Sequence, residues 1–142
     1  MRLVETKKKV FIAITITVMI ALLSIPTASA YWYQTKVYSV SKDYSDTQDL
    51  SPPGSAATGF AIFNKLSRSV ETKVNGIGTT SVKVTSYWQG NNNLADYKED
   101  IGQKSVKAIA RGSILTGTKQ THHQAWAYHF SDYRAQRWLG GN

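Results

Sequence analysis

The chain is predicted to be all-β, a small antiparallel sandwich or barrel behind a cleavable N-terminal signal peptide. Three observations predict this. Short stretches of alternating apolar and polar residues recur along the chain, the period of a half-buried strand. Gly, Asn and Pro clusters punctuate them, as turns do. No long amphipathic helix interrupts the series.

The leader comes first. Arg2 and Lys7, Lys8 and Lys9 form a positive cluster, followed by an uncharged, mainly apolar run over 10–25 that Pro26 ends. Ala28, Ser29 and Ala30 then offer small residues at the spacing of a cleavage site, with Tyr31 as the new N-terminus. Positive, apolar and small-residue regions in that order are the layout of an export signal. The run of 16 residues is short for a membrane span, which wants about 20. Residues 1–30 are therefore read as signal peptide and 31–142 as one secreted β-rich domain.

Over 34–41 a weak alternation predicts a strand. The polar, acidic stretch 42–55, with Asp43, Asp46, Asp49 and the Pro52-Pro53-Gly54 break, reads as a loop. Three aspartates at every third position suggest calcium. However, the central glycine and terminal glutamate of a calcium loop are missing, so a solvated loop is the reading. A buried strand is predicted over 58–66. Alternation over 69–74 and 79–88, separated by Asn75-Gly76, predicts a hairpin, because both residues tolerate positive φ. The stretch 94–101 reads as a short helical turn or loop, and 105–114 as a strand. From Thr121 to Phe130, Gln124, Trp126, Tyr128 and Phe130 share one face of a strand and His123, Ala125, Ala127 and His129 the other. The final stretch, 132–139, fits strand or helix.

Composition narrows the function. There is no cysteine, which excludes disulfides, thiolate metal sites and a cysteine nucleophile. Cysteine-free export is a habit of Gram-positive secreted proteins. The leader carries four of the 17 basic and one of the nine acidic residues. The secreted part keeps 13 against eight and is about +5, a charge that suits anionic partners. Fifteen of its 112 residues are aromatic, concentrated near the two ends.

The histidines do not assemble a metal site. His123 and His129 share a strand face about 20 Å apart, and His122 points away. No metal and no cofactor is expected. Neither a Gly-x-Ser-x-Gly elbow nor a His-Glu-x-x-His motif occurs, so no catalytic residue is assigned. The nearest enzymatic alternative is a small hydrolase such as a nuclease, using His129 or His123 with Asp132, Arg134 and Arg137.

The candidate binding residues are Trp126, Tyr128, His129, Tyr133, Arg134, Arg137 and Trp138, where aromatic and basic side chains interleave. Arg beside Trp or Tyr meets anionic polymers by charge and stacking. The same rings are equally suited to filling a β-core. The expectation is a secreted, non-catalytic, cationic β-domain that binds an anionic cell-wall polymer, a membrane surface or a secreted protein partner. An antimicrobial, bacteriocin-like action is its biological form, and an inhibitory or partner-binding module is a further alternative.

Overall fold

The computed structural model describes residues 32–91, 95–112 and 117–141. The leader and its cleavage residues Ala28, Ala30 and Tyr31 lie outside the described residues. Nine strands are described: β1 (Trp32–Tyr38), β2 (Tyr44–Asp49), β3 (Ala56–Asn64), β4 (Ser69–Ile77), β5 (Ser81–Gly90), β6 (Ala95–Gly102), β7 (Ser105–Arg111), β8 (Thr118–His129) and β9 (Asp132–Gly141). They form two sheets packed face to face, a β-sandwich. One sheet has the order β1-β9-β8-β5-β6 and the other β2-β3-β4-β7. Every pair is antiparallel except β1 with β9, which runs parallel.

Alternation explains the core. In β5 Val82, Val84 and Trp88 point inward, in β4 Val70, Thr72 and Val74, and in β8 Thr121, His123, Ala125 and Ala127. Leu50, Ala57, Ala61, Val74, Val82, Val84, Val106, Ala108, Ala125, Ala127 and Trp138 form the main cluster. Phe63, Val70, Trp88 and Ala110 form a second one. Gly59 of β3 leaves the room that Leu50 and the Trp138 indole fill, since a Cβ there would lie 2.6 Å from Leu50 and 3.0 Å from Trp138, so large and small residues complement one another across the gap.

Three segments differ from the sequence expectation. The stretch 42–55 is not all loop, because it contains β2. This edge strand has a polar inward face that is bonded rather than apolar: Tyr44 and Asp46 both reach hydrogen-bond partners in the core. Asp43 and Asp49 are nonetheless exposed, as a solvated set would be, and only Asp46 is half-buried; each accepts a hydrogen bond. Asp43 accepts the Lys65 amide at 2.7 Å, Asp46 accepts the Trp138 indole, and Asp49 accepts the Ser51 amide at 2.8 Å.

The stretch 94–101 is likewise strand rather than helical turn or loop over 95–101, which belong to β6, while residue 94 lies outside the described residues. The strand overhangs the other sheet, and Asp96 and Asp100 turn toward β7. Asp100 accepts the Lys107 amide at 3.1 Å and Asp96 the Arg111 amide at 2.8 Å.

The hairpin over 69–88 does not form either. Both strands exist, but β4 pairs with β3 and β7, and β5 with β6 and β8. Asn75 and Gly76 continue β4, and the Gly76 amide donates to Lys104 O at 2.6 Å. The chain instead crosses between sheets over 78–80, where Gly78 takes a φ of 72° that disfavours any side chain.

Candidate functional site

Register decides which sequence-predicted residues meet. Across β6, β5, β8 and β9, facing residues are Tyr97, Tyr87, His122 and Leu139 in one row. The next holds Glu99, Thr85, Gln124 and Arg137, and the next Ile101, Lys83, Trp126 and Ala135. Ser81, Tyr128 and Tyr133 follow. These rows make the outer face of the five-stranded sheet. The opposite parity of β8 is the buried one, so the rings of 126–130 do not fill the core. The His123, Ala125 and Ala127 side of the strand does.

Five aromatic rings thus share one face: Tyr87, Tyr97, Trp126, Tyr128 and Tyr133. Tyr128 and Tyr133 stack at 5.2 Å between centroids. Lys83 Nζ sits 5.3 Å from the centroid of the Trp126 ring and pairs with Glu99 at 2.9 Å. The Tyr97 hydroxyl donates to the same Glu99 carboxylate at 2.8 Å. The Lys83 ammonium and the Tyr97 hydroxyl hold Glu99 below the usual carboxylate range. Tyr97 and Ile101 are more than half exposed.

His122 belongs to this face. Its ring meets Tyr87 edge-on, 5.4 Å between centroids, and its Nδ1 accepts from Arg137 Nη2 at 3.5 Å. Partial burial, and then the Arg137 charge, push its pKa below the ordinary histidine value. Neutral His122 therefore cradles a cation rather than adding to the positive charge.

Of the seven candidate binding residues, Trp126, Tyr128, Tyr133 and Arg137 come together here. Three do not. Trp138 is fully buried, and its Nε1 donates to Asp46 Oδ2 at 2.9 Å. It is a core residue because its neighbour across β8 is the inward-facing His123. Arg134 faces Ala127 and shares its inward parity at the end of the sandwich, where its charge helps hold Asp49 ionised after the Ser51 hydrogen bonds. His129 sits at the same end, donating from Nδ1 to Gly78 O at 2.9 Å. Sequence reasoning missed Tyr87, Tyr97, His122 and Lys83. Parity within 81–88 would have placed Tyr87 and Lys83 outside. Tyr97 was hidden because both faces of β6 are polar.

The third histidine is internal. His123 is fully buried, and its Nδ1 lies 3.0 Å from Glu71 O and 3.0 Å from Thr72 Oγ1. A carbonyl only accepts, so Nδ1 carries the proton and Nε2 accepts from the Tyr44 hydroxyl at 2.8 Å. Tyr44 in turn meets Thr121 Oγ1 at 2.6 Å, and Thr72 meets Ser86 Oγ at 2.8 Å. Gly140 leaves space for this chain: a Cβ there would lie 3.0 Å from the Tyr44 hydroxyl. Burial lowers the His123 pKa to about 3 and raises that of Tyr44 to about 12. Both stay neutral at ordinary pH, and neither is placed to reach a substrate. Among the described residues, no three His, Asp or Glu side chains converge on a metal-sized site.

Compared with known proteins, the chain matches no family, no curated protein and no solved structure.

Proposed function

We propose that the protein is a secreted, non-catalytic β-sandwich that binds a cell-surface polymer through the outer face of its five-stranded sheet. One observation carries the reading: five aromatic rings, Lys83, Arg137 and His122 share registered rows on a single face. Aromatic side chains offer flat apolar area with a polar rim, which suits stacking against sugar rings. Arg137, Lys83 and the neighbouring amides of Gln124 suit the charged and hydroxylated groups between them. The net charge of about +5 on the secreted part favours anionic polymers and steers their approach. Growth inhibition of neighbouring Gram-positive cells, a bacteriocin-like role, is the biological form we propose for such binding.

The test is co-sedimentation of the exported protein with intact Gram-positive cells and with isolated walls, at low and high salt. The expected result is saturable binding that salt weakens, since screening shortens the reach of exposed charges. It should be lost in a Trp126→Ala, Tyr133→Ala double variant that keeps its circular dichroism spectrum. Binding unchanged in that variant would assign the activity elsewhere on the molecule.

A further inference from the structure

A cleft of about 450 Å³ opens where β6 overhangs β4 and β7 of the four-stranded sheet, lined by Glu71, Lys73, Asp100, Ser105, Val106 and Lys107. Lys73 of β4 and Lys107 of β7 are direct cross-strand partners. In an antiparallel pair this places their Cα atoms about 5 Å apart with side chains on one face. Like charges directly opposite destabilise a sheet. Among the described residues neither lysine is in an ion pair. Lys73 Nζ instead lies 5.7 Å from the centroid of the Phe60 ring. Two lysines thus stand on paired positions at the cleft with no acidic partner among the described residues, and an anion bound between the two strands would supply the missing counter-charge.

The acids in the cleft define the rest of the ligand. Asp100 is committed to backbone amides, accepting from Ile101 at 3.0 Å and Lys107 at 3.1 Å. Glu71 lies two residues before Lys73 on the same outward parity of β4, and its side chain forms no ion pair or hydrogen bond among the described residues. A simple polyanion would meet Glu71, and a simple amine would meet the lysines. A molecule carrying both charges satisfies the cleft.

We propose that this cleft binds an amine-bearing phosphate ester, with the phosphate between Lys73 and Lys107 and the ammonium against Glu71. Two sources share that chemistry: a polyol-phosphate polymer with esterified amines, and an aminophospholipid headgroup. The proposal does not rest on the aromatic face, whose rings do not line the cleft.

The test titrates the exported protein with O-phosphoethanolamine, glycerol phosphate and inorganic phosphate, following backbone amide shifts by NMR. Phosphoethanolamine is expected to shift the amides of 71–73 and 105–107, and to bind about fivefold tighter than glycerol phosphate, the worth of one exposed ion pair. Glu71→Gln should erase that preference. Lys73→Ala with Lys107→Ala should abolish binding, while the double Arg variant retains it. No shifts at millimolar probe, equal affinity for all three probes, or binding that survives the double Ala variant would each overturn the proposal. Capture on phosphatidylethanolamine vesicles, with phosphatidylglycerol as control, would support the lipid source. Capture on walls that is lost after mild base would support the polymer source, and capture by neither would overturn it. The Trp126→Ala, Tyr133→Ala variant should bind phosphoethanolamine normally, so failure here leaves the aromatic-face reading standing.

Discussion

Tyr44 of the edge strand β2 donates a hydrogen bond through the sandwich core to Nε2 of His123 on β8, at 2.8 Å. The contact joins the two sheets through polar atoms where apolar packing would be the usual means. It fixes the neutral Nδ1–H tautomer, and it makes the fold dependent on an imidazole that must not charge.

Acid lability follows. The His123 pKa is lowered from 6.5 to about 3, first by burial. The unfolded chain takes up a proton below pH 6.5 and the folded chain does not. The contribution to stability is therefore full above pH 6.5 and is lost as pH falls toward about 3. The slope is about 1.4 kcal/mol per pH unit. Urea denaturation at intervals between pH 6.5 and 4.5, where carboxylates stay ionised, should show that slope. His123→Gln should be less stable at pH 7 but flatter across the same interval. An equally steep variant would place the acid sensitivity elsewhere.

Two tryptophans should separate stability from binding. Trp138 is buried, and its Nε1 donates to Asp46, so Trp138→Ala should cost about 3–5 kcal/mol. Asp46→Ala leaves that indole N–H buried without its acceptor and should cost about 1–3 kcal/mol. Trp126 is half-buried on the outer face, so Trp126→Ala should cost about 1 kcal/mol or less while weakening wall binding. Thermal melts and co-sedimentation on the same three variants check both halves.

The edge strands carry the third prediction. The β7 amides of Lys107 and Arg111 point away from β4 and are taken by Asp100 and Asp96 of β6. An uncovered edge is a template for pairing with another chain. Asp96→Ala with Asp100→Ala should cost about 1 kcal/mol per lost bond. It should also speed hydrogen exchange at 107 and 111 and produce concentration-dependent association in sedimentation velocity. A double variant that stays monomeric with protected amides would show the edge to be guarded by other means.

Much of the fold is legible in the sequence because the apolar strands alternate cleanly. β3, β4, β5, β7 and β8 all lie where Val, Phe and Ala mark one parity. β2 and β6 escaped detection because they are edge strands whose inward positions hold Tyr44, Asp46, Asp96 and Asp100, polar residues satisfied by partners distant in sequence. Asn75-Gly76 misled because a turn-prone pair is also compatible with an extended strand. What decides between them is the Lys104 carbonyl, supplied by the β6–β7 turn. The face proposed for binding was half legible. Trp126 and Tyr128 followed from alternation, and Tyr133 and Arg137 from the interleaving of aromatic and basic residues, while the inward turn of Trp138 depends on the register of β9 against β8, which no local pattern encodes.

The last prediction concerns the pH dependence of polymer binding. At neutral pH, His122 Nδ1 accepts from Arg137, so part of the guanidinium is engaged within the protein. Burial and the Arg137 charge keep His122 below its ordinary pKa of 6.5, and protonation comes only as pH falls beneath that value. Protonated His122 cannot accept that bond. The face then gains one positive charge, and Arg137 turns its donors outward. Affinity for an anionic polymer should therefore rise as pH falls from 7.5 toward 5, and His122→Gln should remove the rise without abolishing binding. His129→Gln should leave it intact, because that side chain sits at the end of the sandwich against Gly78. Wall-binding isotherms of the three proteins at constant ionic strength decide the matter. A pH response shared by all three would trace the effect to titration of the polymer itself.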